Sequence, residues 1–375
     1  MGSAKPQETG LEAYNKKKQE WQQKRKAEEA KQRQMQARIN ARMSPFGVEP
    51  PKERTADSLF KYALQAYQNM IKNGWRDPNN PMGFHSPLDI LGLFENAAKA
   101  GSVEAYRYMG ILYLGRPNGV GQSYKQAIEY FKIAIDKGSV EALVNLGQMY
   151  LLGPGDSWGG GGVAKDPAKA MEYFKEAAQK GSALGAYEAG ELYAKGLGVP
   201  KNLAKAREYY QKAASEGLPI ALNAVGEMYA NAQGVPKDLA KAKEYFQKAG
   251  DGGELKGYYH LGLIYFKGDG GAKDLAKALE YFQKAANGGD ANACAYLGEM
   301  YLKGKGVAKD YEKALKYLED GVKATDTGVA GRAYWNLAAI YAKGLGVLVD
   351  KNQAQTYYKQ ACDAGYEQAC TALSK

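Results

Sequence analysis

Histidine and cysteine are scarce in this chain of 375 residues, which contains two histidines and three cysteines. Nucleophilic catalysis of the Ser-His-Asp or Cys-His type needs a base beside the nucleophile, yet His85 and His260 lie in unrelated sequence contexts. A zinc site usually needs several cysteine or histidine ligands close together, and no further cysteine or histidine lies near Cys362 and Cys370. The sequence therefore predicts no catalytic site, no metal site and no cofactor.

Long apolar runs are also absent. Although 45% of the residues are hydrophobic, no stretch reaches the roughly 18 apolar residues that a membrane span requires. The first residues, MGSAKPQETG, contain no apolar stretch of signal-peptide length and resemble an expression leader. We therefore expect residues 1–10 to be a leader and a native export signal to have been removed.

Positive charge is concentrated near the start of the chain. Residues 1–54 carry 13 Lys or Arg and 7 Asp or Glu, and the net charge of the whole chain is +10. We interpret residues 11–43 as a long basic helix and residues 44–54 as a linker, because proline ends helices. A solvated helix is the simplest interpretation of this arm. Contact with an acidic membrane surface, nucleic acid or an acidic protein is the alternative.

One sequence unit recurs with a period of 36 residues, as in Gly181, Gly217, Gly253 and Gly289. Seven units begin at these positions and at Gly101, Gly138 and Val329. Each unit has a small residue, a second small residue five positions later and a tyrosine three positions beyond that, which suits one closely packed helix face. After a glycine-containing turn, a second helix such as LAKAKEYFQKA follows. Stacked helix pairs of this kind bury a shared core and form an α-solenoid.

The units resemble Sel1-like repeats, which are related to tetratricopeptide repeats, and LGEMYLKGKGVAKDYEKALKYLEDG carries the resemblance most fully. The resemblance implies an all-α, right-handed α-solenoid of stacked antiparallel helix pairs. We predict seven repeats over residues 101–365, a degenerate capping repeat over residues 55–100 and a capping helix over residues 366–375.

The cysteines occupy repeat positions. Cys362 aligns with the end of the second helix of the other units, and Cys370 lies in the next helix, so a tight turn would bring the two close enough for a disulfide. In the cysteine-rich subgroup of Sel1-like proteins the same spacing staples adjacent helices. A reactive or metal-binding pair and two unpaired core thiols are the alternatives. Cys294 has alanine at its partner position and is predicted to be a buried free thiol.

The first helices of such solenoids line the concave side, where residues that vary between units can recognise a partner. Large aromatic residues are typical binding anchors, and glutamates beside them favour a basic partner segment. The alternatives are drift of solvated sites and, for each tyrosine, packing within the array. The predicted partner-binding residues are Tyr187, Glu191, Asn223, Glu227, Tyr259, Leu263, Tyr296, Glu299 and Trp335.

We therefore predict a non-catalytic scaffold that binds a protein or peptide in a concave groove, with no small-molecule substrate. A narrower hypothesis is an immunity protein that neutralises a secreted bacterial toxin, a role of some Sel1-like proteins. A cell-wall or β-lactam-related enzyme is a less favoured alternative. A disulfide persists only in an oxidising compartment, which favours a periplasmic or exported protein over a cytoplasmic one.

Overall fold

The computed structural model describes residues 48, 50–72, 76–77, 80–84, 87–115, 123–153 and 163–373. The predicted leader, the basic arm and His85 lie outside the described residues. The chain divides into two compact units, Met1–Lys165 and Asp166–Lys375.

The first unit contains helices and one small antiparallel strand pair, in the order α1 (Ala56–Lys72), β1 (Arg76–Asp77), β2 (Asn80–Phe84), α2 (Pro87–Lys99), α3 (Val103–Leu114), α4 (Tyr124–Asp136) and α5 (Val140–Leu152). The strand pair lies within the segment predicted as a degenerate repeat, and it departs from the all-helical expectation. In the core of this unit the ring of Phe94 stacks on that of Tyr108 with centroids 5.3 Å apart.

The second unit is described as a run of helix pairs that ends in a short helix. In chain order the helices are α6 (Pro167–Gln179), α7 (Ala183–Lys195), α8 (Leu203–Ser215), α9 (Pro219–Ala230), α10 (Leu239–Asp251), α11 (Leu255–Lys267), α12 (Leu275–Asn287), α13 (Ala291–Lys303), α14 (Tyr311–Gly321), α15 (Thr327–Lys343), α16 (Lys351–Asp363) and α17 (Glu367–Leu373). Helices α7, α9, α11, α13 and α15 are the first helices of their repeats, and each packs on the second helix that follows it.

The helices begin and end where the repeated polar residues and glycines predict. Asp238 precedes α10, and its side chain accepts a hydrogen bond from the backbone N–H of Lys241, which satisfies one of the free amides at the start of the helix. Glycine follows α7 in a left-handed conformation, with φ of 71° at Gly196. The fourth repeat has Ala232 at the corresponding position, and this alanine adopts φ of 55°. The turn geometry is therefore kept where the sequence lacks its glycine.

Close packing between the two helices of a repeat explains the second small residue of the motif. A Cβ atom at Gly226 of α9 would lie 2.7 Å from the ring of Phe246, and one at Gly298 of α13 would lie 2.5 Å from Leu318. The side chains of Phe246 and Leu318 are fully buried. The glycine thus lets the second helix approach, and the residue after it projects from the first helix at a fixed place.

The predicted fold class, a solenoid of antiparallel helix pairs, is confirmed for the described helices. None of these helices has the length and apolar character needed to cross a membrane.

Candidate partner-binding face

The predicted binding residues all lie on the first helices of the second unit. We use the term first-helix face for the positions they occupy on α7, α9, α11, α13 and α15. Tyr187, Asn223 and Tyr259 occupy one equivalent position, two residues after the first small residue of the motif. A second equivalent position, directly after the packing glycine, holds Glu191, Glu227, Leu263 and Glu299. The three glutamates therefore share one repeat position, although their environments differ.

In the third repeat, Glu191 is held by the second helix of its own pair. The phenol of Tyr210 donates a hydrogen bond to Glu191 Oε1 at 2.6 Å, and Lys195 forms an ion pair with the same carboxylate. The ring of Tyr187 lies 5.7 Å from that of Tyr210. The pKa values of both phenols are raised, mainly by burial and then by the neighbouring Glu191. Both tyrosines therefore remain protonated hydrogen-bond donors at physiological pH.

Glu227 of the fourth repeat joins two repeats. Asn223 Nδ2 donates to Glu227 Oε1 at 2.7 Å, and His260 Nε2 of the next first helix lies 3.0 Å from the same oxygen. The imidazole stacks on Phe246 with centroids 4.8 Å apart, which fixes its position. Burial acts to raise the pKa of Glu227, but the hydrogen bonds from His260 and Asn223 outweigh burial and lower the pKa. The side chain of Glu227 is 40% exposed.

Glu299 of the sixth repeat is enclosed by cations. Lys303 Nζ and Lys305 Nζ lie 3.0 and 2.9 Å from Glu299 Oε1, and Arg332 Nη1 lies 3.6 Å from Glu299 Oε2. The carboxylate side chain is only 6% exposed. Burial again acts to raise the pKa, but the hydrogen bonds and charges of the two lysines lower it. The ligand positions around this carboxylate are already filled by the protein itself.

Two of the predicted aromatic anchors lie in the hydrophobic core. The side chains of Tyr259 and Tyr296 are 9% and 5% exposed, and their rings pack against Phe282 with centroid distances of 6.2 and 5.0 Å. The sequence left open whether each tyrosine binds a partner or packs within the array, and these two tyrosines pack within the array. Leu263 is half-buried at the edge of this core, and Tyr187 is half-buried against a separate small cluster of buried alanines.

Trp335 and the cysteines belong to the last helices. The indole of Trp335 lies 5.1 Å from the ring of Tyr358 and 5.6 Å from that of Tyr366. Cys362 and Cys370 form a disulfide that joins α16 to α17, with a Cα–Cα distance of 4.8 Å. Cys294 is unpaired and buried, and burial raises the pKa of its thiol to about 11, so it stays protonated near neutral pH.

Three residues on or beside the face were not singled out for binding from the sequence. His260 packs on Phe246 and also bridges α11 to Glu227 of α9. Tyr210 stands where the next two second helices have phenylalanine, and this added hydroxyl was the available signal for its bond to Glu191. Arg332 lies over the ring of Tyr296 at 5.1 Å, and only the fold reveals that contact.

The described residues contain no group of three or more His, Cys, Asp or Glu side chains arranged to hold a metal ion. The carboxylates of the first-helix face are instead bound by amides, phenols and cations of the same helix or of a neighbouring helix. Such an arrangement presents fixed acceptors to a ligand that carries N–H groups.

A family model described as the Sel1 repeat matches this chain seven times, over residues 103–139, 140–182, 183–218, 219–254, 255–290, 291–319 and 331–366. These segments make up more than half of the sequence, so the chain belongs to the Sel1 repeat family. The seven repeats predicted from the 36-residue period are thereby confirmed. No curated protein was found to match the chain.

Solved structures agree with this assignment. A Sel1 repeat protein from Oxalobacter formigenes is 30% identical and matches 70% of this chain and 100% of its own, with a TM-score of 0.61. A protective antigen of uropathogenic Escherichia coli with an SLR fold is 24% identical over 92% of this chain and 81% of its own, with a TM-score of 0.52. An immunity protein from Pseudomonas aeruginosa is 23% identical over 59% and 81%, with a TM-score of 0.42.

Proposed function

We propose that this protein is a non-catalytic scaffold that binds a protein or peptide partner on its first-helix face. The observation that carries the proposal is the contrast between framework and face. The framework of glycine contacts, capping residues and buried aromatic rings is repeated from unit to unit, whereas the first face position changes in residue type and the glutamates at the second differ in their contacts. A repeated framework with varied surface residues suits recognition of an extended ligand.

The half-exposed members of the face have the properties of binding anchors. Tyr187 is a large aromatic residue, and the Glu191 and Glu227 side chains, 21% and 40% exposed, are held in place by hydrogen bonds. A partner therefore meets groups whose conformations are already restricted, which lowers the entropy cost of binding. We expect Tyr187, Glu191, Glu227 and Leu263 to contact the partner and the buried Tyr259 and Tyr296 to support them.

Site-specific photocrosslinking in the native host tests the proposal. A benzophenone amino acid is placed at Tyr187 or Leu263 and, as the matched control, at the exposed Glu244 of the second helix α10. We expect one polypeptide to be captured from both face positions and not from the control. Capture from Glu244 with none from the face would contradict the choice of surface.

The captured polypeptide then allows a quantitative test. Tyr187→Ala is expected to weaken its binding by about 2 kcal/mol, the usual threshold for a hot spot, in isothermal titration calorimetry. Glu244→Ala serves as the surface control and is expected to leave the affinity unchanged.

A narrower proposal is that the protein is an immunity protein and that its partner is a secreted bacterial toxin. This hypothesis rests on the family resemblance and is tested by the identity of the crosslinked polypeptide. The disulfide supports an exported location, because a Cys362–Cys370 bond persists in an oxidising compartment.

A further inference from the structure

We propose that Asn223 and Glu227 form a subsite for the guanidinium group of an arginine side chain in the partner. This inference deepens the proposed function and rests on it. It assigns a ligand chemistry to one place on the first-helix face, between α9 and α11.

In the sixth repeat, an arginine of the protein itself contacts the glutamate that corresponds to Glu227. There the guanidinium of Arg332 lies 3.6 Å from Glu299 Oε2 and 5.1 Å from the centroid of the Tyr296 ring. Glu299 and Glu227 occupy the same repeat position, directly after the packing glycine. The geometry of the fold therefore already brings an arginine to this carboxylate position in one repeat.

The cations that surround Glu299 are missing from the fourth repeat. Counting from the packing glycine, Lys303 and Lys305 correspond to Asn231 and Gln233, and the repeat register places Lys256 where Arg332 stands. Burial raises the pKa of Glu227, and His260 and Asn223 lower it. The charge of Lys256 lowers it further by a smaller amount. Among the described residues, however, Lys256 forms no ion pair with the carboxylate, and Glu227 Oε2 accepts no hydrogen bond.

An unsatisfied acceptor beside Glu227 is a second, independent indication of a ligand. Asn223 is 5% exposed, and its Oδ1 atom has no hydrogen-bond partner among the described residues. The Nδ2 atom of the same amide donates to Glu227 Oε1, so the amide group that carries Oδ1 is in direct contact with this carboxylate. A buried acceptor without a donor is unfavourable.

A guanidinium group fits this pair of acceptors better than an ammonium group does. It carries five N–H donors in a planar fork, which allows it to bond a carboxylate oxygen and a neighbouring amide oxygen at once.

The probe for this subsite is the peptide acetyl-Gly-Arg-Gly-amide, with lysine and citrulline versions as controls. His260 lies 3.0 Å from Glu227, so the Cε1–H resonance of its ring, assigned with a His260→Gln variant, reports on the subsite in the full chain. We expect the arginine peptide to cause a saturable shift and the uncharged citrulline peptide to cause none.

Variants then locate the binding. Glu227→Gln is expected to weaken binding of the arginine peptide at least about tenfold, the scale of one charged hydrogen bond, and Asn223→Ala is expected to weaken it less. The matched control is Glu280→Gln on the second helix α12, where an exposed glutamate pairs with Lys284; it is expected to change nothing. Circular dichroism verifies that each variant is folded.

Three outcomes would overturn the subsite. They are equal shifts from the arginine and citrulline peptides, equal affinity for the lysine peptide, and no saturable shift up to the solubility limit of the arginine peptide. Any of these can occur while the photocrosslinks at Tyr187 and Leu263 still form, in which case the face binds a partner by other contacts. Loss of the crosslinks with an intact arginine shift would instead count against the proposed function.

Discussion

The fourth and sixth repeats carry a glutamate at the same repeat position, yet the two carboxylates have opposite surroundings. Glu227 is 40% exposed and is bonded by an amide and an imidazole, whereas Glu299 is 6% exposed and lies within reach of two lysines and an arginine. The repeat thus determines where a side chain projects, and the neighbours determine whether it is available to a ligand. Residues four and six positions after the glutamate and one residue on the next first helix make the difference.

The aromatic residues show the same division. Tyr187 of α7 is half-buried beside the partly buried carboxylate of Glu191, whereas Tyr296 of α13 lies in the core and supports Arg332. We infer that the part of the first-helix face formed by α7 and α9 is available for binding and that the part formed by α13 and α15 is largely occupied by its own contacts. The following changes test this contrast.

The largest expected effect is on stability in the buried region. Tyr296→Ala removes a ring that stacks on Phe282 at 5.0 Å and should lower the free energy of unfolding by about 3 kcal/mol or more. Tyr187→Ala should cost about 1 kcal/mol, because its ring is only half-buried. Urea denaturation followed by circular dichroism measures both. Equal losses would contradict the division of the face.

The next largest expected effect is a difference in stability between variants of the two glutamates. Glu299→Gln weakens hydrogen bonds from two lysines and is expected to cost about 2 kcal/mol at neutral pH. Glu227→Gln should cost about 1 kcal/mol or less, since its carboxylate is partly solvated. The same denaturation experiment applies, and a larger loss for Glu227→Gln would reverse our assignment of the occupied site.

Lowering the pH should remove the contribution of the Glu299 carboxylate to the stability of the folded protein. The folded protein lowers the pKa of Glu299 below its usual value of 4.5, so the carboxylate contributes stability that is fully present above the unfolded-state pKa. That contribution is lost as the pH falls through the folded-state pKa. The stability gap between the wild type and Glu299→Gln should therefore be constant near neutral pH and close below about pH 4.5. A gap that persists at lower pH would exclude this ionic origin.

The smallest expected stability change comes from making the fourth repeat resemble the sixth. The triple variant Asn231→Lys, Gln233→Lys and Lys256→Arg should supply Glu227 with the cations that Glu299 has, and surface ion pairs of this kind are worth about 0–1 kcal/mol. We expect the melting temperature to change little and the shift of the His260 resonance by the arginine peptide to be lost. Retention of that shift would show that the peptide does not need the open carboxylate.

The sequence was sufficient to predict the framework. The 36-residue period, the small residues and the turn glycines predicted seven helix pairs, because each of these features reports a local backbone or packing requirement. The strand pair β1–β2 was not predicted, since its few residues show neither a helical nor an alternating apolar pattern.

The availability of the site residues was harder to predict. The positions of Glu191, Glu227 and Glu299 could be read from the period, but burial depends on the adjacent repeat. Tyr259 and Tyr296 lie at positions whose residue type varies from repeat to repeat, and only contacts with Phe282 show that their rings turn into the core. The sequence did contain the cations of Glu299, as Lys303 and Lys305, although it did not show that they converge on one oxygen.

The disulfide has a mechanical consequence for the last helices. Cys362 and Cys370 are 8 residues apart, and the bond holds their Cα atoms at 4.8 Å. A stretched chain spans about 3.5 Å per residue, so the same segment would extend to about 28 Å after reduction. When the protein is pulled apart by force, the oxidised chain should be about 2 nm shorter in contour length than the reduced one. The joint between α16 and α17 would then lengthen only when a reductant, rather than force alone, has acted on it.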